Sequence, residues 1–147
     1  MVDVAQTQAA TLDKFIQGWS SWTPEPMLAV ETADCTQTAL PFSMGHPPRS
    51  KAEVEFMLPK LMKTVQDYKL TIHNVVHDTA NRKAAVYAIS HGNTDFGEWT
   101  NEYAVFVWFT EDGTRISKIE EMVDSAFMKD FMPKFQRHLM TSGMLTA

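Results

Sequence analysis

The sequence has little or nothing of several features that define whole classes of protein. Its single cysteine, Cys35, can form no internal disulfide and cannot build a zinc site from paired thiolates. No stretch approaches the roughly 18 apolar residues of a membrane span, and the N-terminus lacks the basic and apolar regions of a secretion signal. We therefore expect a cytoplasmic protein that does not associate with membranes.

Positive charge is also scarce. The 13 lysines and arginines are outnumbered by 18 aspartates and glutamates, which gives a net charge of −5. A nucleic-acid partner is not expected, because binding to phosphate backbones relies on an excess of positive charge.

Motifs for covalent, phosphate or metal chemistry are missing as well. The chain has no Gly-x-Ser-x-Gly turn and no glycine-rich loop that opens a helix. His73 and His77 have the four-residue spacing of helical zinc ligands, but on a strand this spacing separates them by about 13 Å. We predict neither a metal nor a cofactor.

What the chain does have is enough apolar material for one well-packed domain spanning residues 1–147. Of its 147 residues 44% are apolar and 11% aromatic, and ten are methionines. This length suffices for a real core. The methionines and aromatic residues suit either a plain core or an adaptable apolar cavity.

Periodicity predicts helices in the first half of the chain. An amphipathic helix carries Phe15 and Trp19, and a second spans about 24–30 after Thr23. A short strand at about 34–40 and a proline-rich loop, a candidate pocket rim, precede a third helix. That helix starts at the capping box of Ser50 and Glu53.

The second half changes to a period of two. Four strands are predicted at about 68–77, 84–93, 98–110 and 114–123, followed by a helix from Ser125 to about Leu139 that Pro133 should kink or shorten. The order predicts an α+β fold in which helices cover one face of an antiparallel sheet. Because the segment 103–109 is apolar on both faces, we expect a homodimer through the open face.

The last two strands form a hairpin whose turn predicts its register. A three-residue loop ending at Gly113 would pair Tyr103 with Glu121. One face would then carry Trp99, Asn101, Tyr103, Val105, Ile119, Glu121 and Val123; the other would carry Glu102, Ala104, Phe106, Trp108, Ile116, Lys118, Glu120 and Met122.

The first of these faces contains a candidate catalytic carboxylate. Glu121, placed among Tyr103, Trp99 and apolar residues, would be desolvated, which raises its pKa and makes it a usable general base or acid near neutral pH. Its alternative is a rim glutamate paired with a cation. Asp124 is either a second acid–base group or the N-cap of the last helix, and Glu120 is expected on the other face beside Lys118.

Two histidines are further candidates. His91 follows Tyr87 and Ile89 at a period of two on a central strand, which makes it a candidate pocket residue. Simple alternation makes His73 exposed unless its strand contains a bulge.

The chain contains the segments Gly-Glu-Trp-Thr-Asn-Glu-Tyr (97–103) and Ile-Glu-Glu-Met-Val-Asp-Ser (119–125). Together with the predicted helices and the meander, these segments resemble the SnoaL-like branch of the NTF2-like superfamily. Together with 40–48, they look most like fungal secondary-metabolism isomerases and cyclases. The resemblance covers nearly the whole chain. It implies a cone-shaped α+β barrel, with N-terminal helices packed on a strongly curved antiparallel sheet.

The resemblance also implies roles for particular residues. Glu121 matches the pocket glutamate of the final strand, Asp124 resembles the strand-end aspartate of polyketide cyclases, and His73 and His91 resemble the two strand histidines of scytalone dehydratases. Where relatives often carry an arginine or histidine on the first strand, this chain has residues 36–38, Thr-Gln-Thr.

The expected function is a cofactor-independent isomerase or cyclase that uses acid–base catalysis on an apolar, oxygenated polycyclic polyketide or meroterpenoid. Glu121 would remove a proton beside a carbonyl, and His91 or Asp124 would return one. The expected substrate-binding residues are Trp99, Asn101, Tyr103, Trp19, Phe15 and Phe56. A dehydratase of the scytalone dehydratase type and a non-catalytic ligand-binding module are the alternatives.

Overall fold

The computed structural model describes residues 2–146 as four α-helices around one sheet. The helices are α1 (Val4–Ser21), α2 (Pro24–Ala29), α3 (Lys51–Thr64) and α4 (Ser125–Ser142). The strands are β1 (Glu31–Leu40), β2 (Arg49–Ser50), β3 (Gln66–Asp78), β4 (Lys83–Thr94), β5 (Gly97–Phe109) and β6 (Ile116–Val123), and short 3-10 helices occupy Phe42–Met44 and Met144–Thr146.

Helices α1, α3 and α4 begin where a side chain accepts a hydrogen bond from a free N–H group, whereas Thr23 makes no such bond at the start of α2. Asp3 caps α1, and the predicted capping box at α3 is present: Ser50 Oγ accepts a bond from the Glu53 N–H, and the Glu53 carboxylate accepts one from the Ser50 N–H. Helix α4 continues through Pro133 and ends three residues beyond the predicted end. No helix within residues 2–146 combines the length and apolar character needed to cross a membrane.

The sheet has the order β2-β1-β6-β5-β4-β3. Strands β3 to β6 form the predicted antiparallel meander, but β1 joins it by pairing in parallel with β6. This parallel pair was not predicted, because it joins segments 80 or more residues apart that no short turn connects. Strand β1 also starts three residues earlier than predicted, at Glu31.

The helices pack on the inner face of the sheet, and this confirms the predicted α+β fold class. On β5 the inward residues Trp99, Asn101, Tyr103, Val105, Val107 and Phe109 are all buried. On β4 the inward residues are small: Ala84, Val86, Ala88 and Ser90. Phe15 and Trp19 of α1 and Phe131, Phe135 and Leu139 of α4 complete the core.

The predicted register of the β5–β6 hairpin is wrong by two residues. Val105 pairs with Glu121, and Tyr103 pairs with Val123. The loop is one residue longer than predicted, since Thr110 donates a hydrogen bond to the Arg115 carbonyl, and a bulge at Ser117 adds the second residue.

The faces assigned to Glu121, Ile119 and Val123 are nevertheless right, because a shift of two residues preserves the alternation. Ile116 is the exception. It precedes the bulge and is therefore buried on the inner face instead of lying on the outer one.

Candidate active-site cavity

A cavity of about 40 Å³ lies between the first two helices and strands β1, β5 and β6. Its lining residues are Phe15, Trp19, Met27, Glu31, Gln37, Val105, Ile119 and Glu121. Three of the residues predicted from the sequence therefore meet here: Glu121, Trp19 and Phe15. The cavity has room for roughly three water molecules at about 10–15 Å³ each.

Glu121 is held in the cavity by the parallel pairing of β1 and β6. Its Cα is opposite that of Ala39, and the Gln37 side-chain amide donates a hydrogen bond of 2.9 Å to Glu121 Oε2. Glu121 is half-buried, and the burial of its carboxyl group raises its pKa from the usual carboxylate value.

Two neighbours oppose that shift in the pKa of Glu121. The positive charge of Arg49 lowers it, and so does the hydrogen bond from Gln37. Arg49 lies on β2, where its Cα is paired with that of Gln37. This chain carries no arginine or histidine at residues 36–38, and the cation that acts on Glu121 is Arg49 of the adjacent edge strand.

A cluster of buried hydroxyl groups lies farther along the inner face. The Trp99 indole N–H donates to Ser90 Oγ at 2.8 Å, and Ser90 Oγ is 2.6 Å from the Tyr103 hydroxyl. The Tyr103 hydroxyl is in turn 3.5 Å from that of Tyr68. Trp19 connects the two regions, since it lines the cavity and its ring meets the Tyr103 ring edge-on at 5.0 Å.

Both tyrosines in the cluster stay protonated over a wide pH range. Burial raises the pKa of Tyr68 to about 12, and it raises the pKa of Tyr103 well above its usual value of 10. The hydroxyls can therefore act as hydrogen-bond donors but not as bases near neutral pH.

Sequence reasoning missed a second carboxyl group in the cavity, that of Glu31. Its side chain is only 3% exposed, and burial raises its pKa. It lies at the first residue of β1, ahead of the strand predicted from the sequence. The only signal was an acidic residue directly before a β-rich segment, which is common at strand ends on protein surfaces.

The two histidines predicted from the sequence do not reach the cavity. His91 is exposed on the outer face of β4, because the large residues Tyr87 and Ile89 alternate outward and the small residues face the helices. His73 is also exposed, as simple alternation predicts, although it occupies a bulge between Ile72 and Asn74.

That bulge instead turns His77 inward. His77 Nε2 lies 2.8 Å from the Gln8 side-chain oxygen, and its ring packs against Phe109. His77 therefore serves to join β3 to α1. Among residues 2–146 no group of three or more histidine, cysteine, aspartate or glutamate side chains is arranged to hold a metal ion.

Asp124 caps α4, the second of its two predicted roles. Its carboxylate accepts a hydrogen bond from the Phe127 N–H at 3.1 Å, and the side chain is exposed. Asn101 Oδ1 accepts a bond from the Asp124 N–H at 3.2 Å, so this buried amide fixes the junction between β6 and α4. Asn101, Tyr103 and Trp99 lie on the inner face as predicted, but they do not line the cavity.

Phe56 and Glu120 lie outside the cavity. Phe56 is 48% exposed on α3, with the Lys60 ammonium group over its ring, so its predicted place in the cavity wall is wrong. Phe56 does not share the helix face of Val54 and Met62, the buried apolar residues of α3. Glu120 forms the expected outer-face pair with Lys118, at 3.4 Å.

Known structures show the fold class. A pinacolase from Penicillium brevicompactum, BvnE, superposes with a TM-score of 0.82 at 20% sequence identity, covering 94% of this chain and 96% of that one. PrhC from Penicillium brasilianum gives a TM-score of 0.77 at 23% identity, covering 97% and 93%. A putative SnoaL-like polyketide cyclase from Shewanella denitrificans gives 0.67 at 9% identity, covering 86% and 97%. The protein has the same α+β fold as these SnoaL-like proteins, as the sequence resemblance predicted.

Sequence relatives show the family. A protein named Monooxygenase dmxR10, from Cryptosporiopsis, is 56% identical over 141 residues, which cover 95% of this chain and 94% of the relative. Monooxygenase AacuP from Aspergillus aculeatus is 50% identical over 135 residues, covering 92% and 93%. This chain belongs to the family of these fungal proteins. No family model matches the sequence.

Proposed function

We propose that the protein is an isomerase or cyclase that moves a proton beside a carbonyl group of an apolar, oxygenated polycyclic metabolite, a polyketide or a meroterpenoid. One observation carries the proposal: the carboxyl group of the half-buried Glu121 lies in an aromatic-walled cavity with its pKa raised by burial. A carboxylate whose pKa is raised is a stronger base than an exposed one.

The neighbours of Glu121 have complementary roles in this proposal. Gln37 orients the carboxylate, so that its free oxygen faces the substrate. Tyr103 supplies a hydrogen-bond donor for the carbonyl oxygen, where negative charge develops as the proton leaves. Phe15 and Trp19 exclude water and pack against the rings of the substrate.

The cavity must enlarge before a polycyclic molecule can enter. Pockets for ligands of this size occupy roughly 300 Å³ or more, against about 40 Å³ here. Met27 and Trp19 are the residues we expect to move. Methionine side chains adapt readily, and displacement of Trp19 would connect the cavity with the Tyr103 hydroxyl.

Names of similar proteins support acid–base chemistry and also give a second candidate, a monooxygenase. A pinacolase and a putative polyketide cyclase share the fold, whereas dmxR10 and AacuP are named monooxygenases. Both reactions can start with the same step, removal of a proton to give an enolate. Reprotonation at another carbon gives an isomer. Reaction of the enolate with O₂ converts a CH₂ group into a carbonyl and releases one water.

A dehydratase and a non-catalytic binding module are the further alternatives. A dehydratase would use the same base and release water without consuming oxygen. A binding module would take up ligand with no proton exchange. The isomerase or cyclase, the monooxygenase, the dehydratase and the binding module therefore differ in proton exchange, oxygen consumption and release of water, which can each be measured.

The test uses two simple polycyclic ketones, β-tetralone and anthrone, incubated with the protein in heavy water under oxygen-18. We expect the wild-type protein to accelerate deuterium exchange beside the carbonyl of at least one ketone, with no oxygen-18 in the product. Oxygen-18 incorporation into anthrone with matching oxygen consumption would establish the monooxygenase instead. Exchange no faster than with E121Q, on both ketones, would overturn the acid–base proposal.

We also propose that the active form is a homodimer joined through the outer face of the sheet. That face carries exposed Tyr87, Phe106 and Met122, together with the Lys118–Glu120 pair. A surface that has an apolar centre and carries both a positive and a negative side chain can pair with a second copy of itself across a twofold axis. Sedimentation of the wild-type protein should give a dimer and that of F106E a monomer; a wild-type monomer at micromolar concentration would contradict the proposal.

A further inference from the structure

The cavity contains a second acid that the proposed reaction has not yet used. Glu31 lines the same space as Glu121, and its side chain is more deeply buried than that of any other acidic residue in the described chain. Glu31 is the first residue of β1, whereas Glu121 lies on the parallel partner β6 opposite Ala39, near the last residue of β1. A substrate that fills the cavity would therefore touch both carboxyl groups.

The positive charges near Glu31 hold its backbone and leave its carboxyl group unpaired. Lys51 Nζ and Arg115 Nη1 each approach the Glu31 main-chain carbonyl, at 3.3 Å and 3.2 Å. Within residues 2–146 no cation forms an ion pair with the carboxylate itself. A buried carboxyl group without a partner cation favours its neutral, protonated form.

The remaining groups that face Glu31 do not reverse this preference. The Cys35 thiol lies near the carboxyl group and lowers its pKa, and it stays a thiol because burial raises its own pKa to about 12. Its Sγ lies 3.8 Å from the Thr36 main-chain carbonyl oxygen. From α3, the charge of Lys51 favours ionisation of Glu31, while that of Glu55 opposes it.

Burial raises the pKa of Glu121 as well, but two specific neighbours oppose that shift. Its carboxylate accepts a hydrogen bond from Gln37 and experiences the positive charge of Arg49, and both favour the ionised form. When neighbouring carboxyl groups lie in environments that favour different protonation states, one can act as base and the other as acid.

We propose that Glu31 is the catalytic acid of the cavity, which donates a proton to the substrate after Glu121 has removed one. This inference rests on the proposed function. The Glu121 carboxylate takes a proton from the carbon beside the carbonyl, and the C–H electron pair forms the enolate. The Glu31 carboxylic acid then protonates a second carbon of the extended enolate. Transfer of one proton from Glu121 to Glu31 through water restores the starting state, so the reaction has no net proton change.

The protonation state of Glu31 is tested first, without any substrate. Infrared spectra of protein labelled with carbon-13 glutamate should show a protonated carboxyl band near neutral pH. We expect this band to persist in E121Q and in the control E55Q, and to disappear in E31Q. Absence of the band from the wild-type protein and E121Q would overturn the proposal even if E31Q fails to fold, and so would its persistence in E31Q.

The catalytic role is tested with a bicyclic β,γ-unsaturated ketone, an octalone, which becomes conjugated when its far carbon is protonated. In E31Q we expect conjugation to slow about a hundredfold, while deuterium exchange beside the carbonyl, which needs only Glu121, continues. Equal conjugation rates in E31Q and wild type would overturn the role of Glu31 alone. If the wild-type protein does not accelerate deuterium exchange beside the carbonyl, the proposed function itself is overturned.

Discussion

The side-chain amide of Gln37 donates a hydrogen bond of 2.9 Å to the carboxylate of Glu121, across a parallel strand pair that joins positions 84 residues apart. The bond stabilises the ionised carboxylate and so opposes the burial that raises its pKa. The long-range pairing of β1 and β6 therefore controls the charge state of the proposed base.

Removal of the Gln37 amide should raise the pKa of Glu121 further. A hydrogen bond to a charged group is worth about 1.5–3 kcal/mol, so the loss of this bond in Q37A should favour the protonated form of Glu121 measurably. Carbon-13 NMR titration of labelled glutamate measures the shift. The exposed Gln66 at the start of β3 offers a control, Q66A, and equal Glu121 pKa values in both variants would contradict the assigned role of Gln37.

The tyrosines should ionise late. The chain has three, and the pKa of each is raised: burial is the main cause for Tyr68 and Tyr103, and a hydrogen bond to Glu102 is the main cause for Tyr87. Ultraviolet titration at about pH 10 should show clearly less than half of the tyrosines ionised in the folded protein. Half ionisation there would contradict the buried hydroxyl cluster.

The same shifts have a consequence for stability. A tyrosine with a raised pKa in the folded state releases its proton more readily when unfolded, so the folded state is favoured fully below about pH 10 and loses this advantage as pH rises through the folded pKa. The free energy of unfolding should therefore fall from about pH 10 towards about 12, the pKa of folded Tyr68.

Asp124 should act as a helix cap and not as an acid. Its carboxylate accepts the Phe127 N–H, and asparagine can make the same bond without a charge. We expect D124N to keep most of its stability and its exchange rate, and D124A to lose about 1 kcal/mol of unfolding free energy. A D124N variant that folds normally but loses exchange activity would show that the sequence-based catalytic role was correct.

The hairpin turn requires glycine at position 113 for two reasons. Gly113 has a φ of +77°, and a Cβ there would lie 2.9 Å from the Gln8 side chain. Gly45 provides a matched control, with a φ of +74° and no atom within 4 Å. We expect G45A to lose about 1 kcal/mol of stability through strain alone, and G113A to lose about 1–3 kcal/mol more through crowding. Equal losses in denaturant unfolding would argue against the packing of α1 on the hairpin.

Local patterns predicted the local structure well. The capping box at Ser50 and the four strands of the meander depend on neighbouring residues, whose spacing is visible in the sequence. The inner-face position of Glu121 was also predictable, because the two one-residue errors in the hairpin left its alternation unchanged.

The cavity depended on features that short-range patterns do not contain. Glu31 reaches it only because β1 pairs in parallel with β6, and Gln37 meets Glu121 for the same reason. His91 was assigned to the wrong face because the large residues of β4 point outward, where helices do not crowd them. Small inward side chains are an effect of helix packing, which an isolated strand pattern does not reveal.

The most direct test of the central claim compares two adjacent glutamates that differ in the face they occupy. Glu121 lies in the cavity and Glu120 pairs with Lys118 outside it, so E121Q and E120Q remove the same charge at neighbouring positions. The measurement is the rate of deuterium exchange into β-tetralone near neutral pH. We expect E121Q to be slower by about a hundredfold or more, and we expect E120Q to match the wild-type protein at a concentration at which both sediment alike. Equal exchange rates in two folded variants would contradict the assignment of Glu121 as the base.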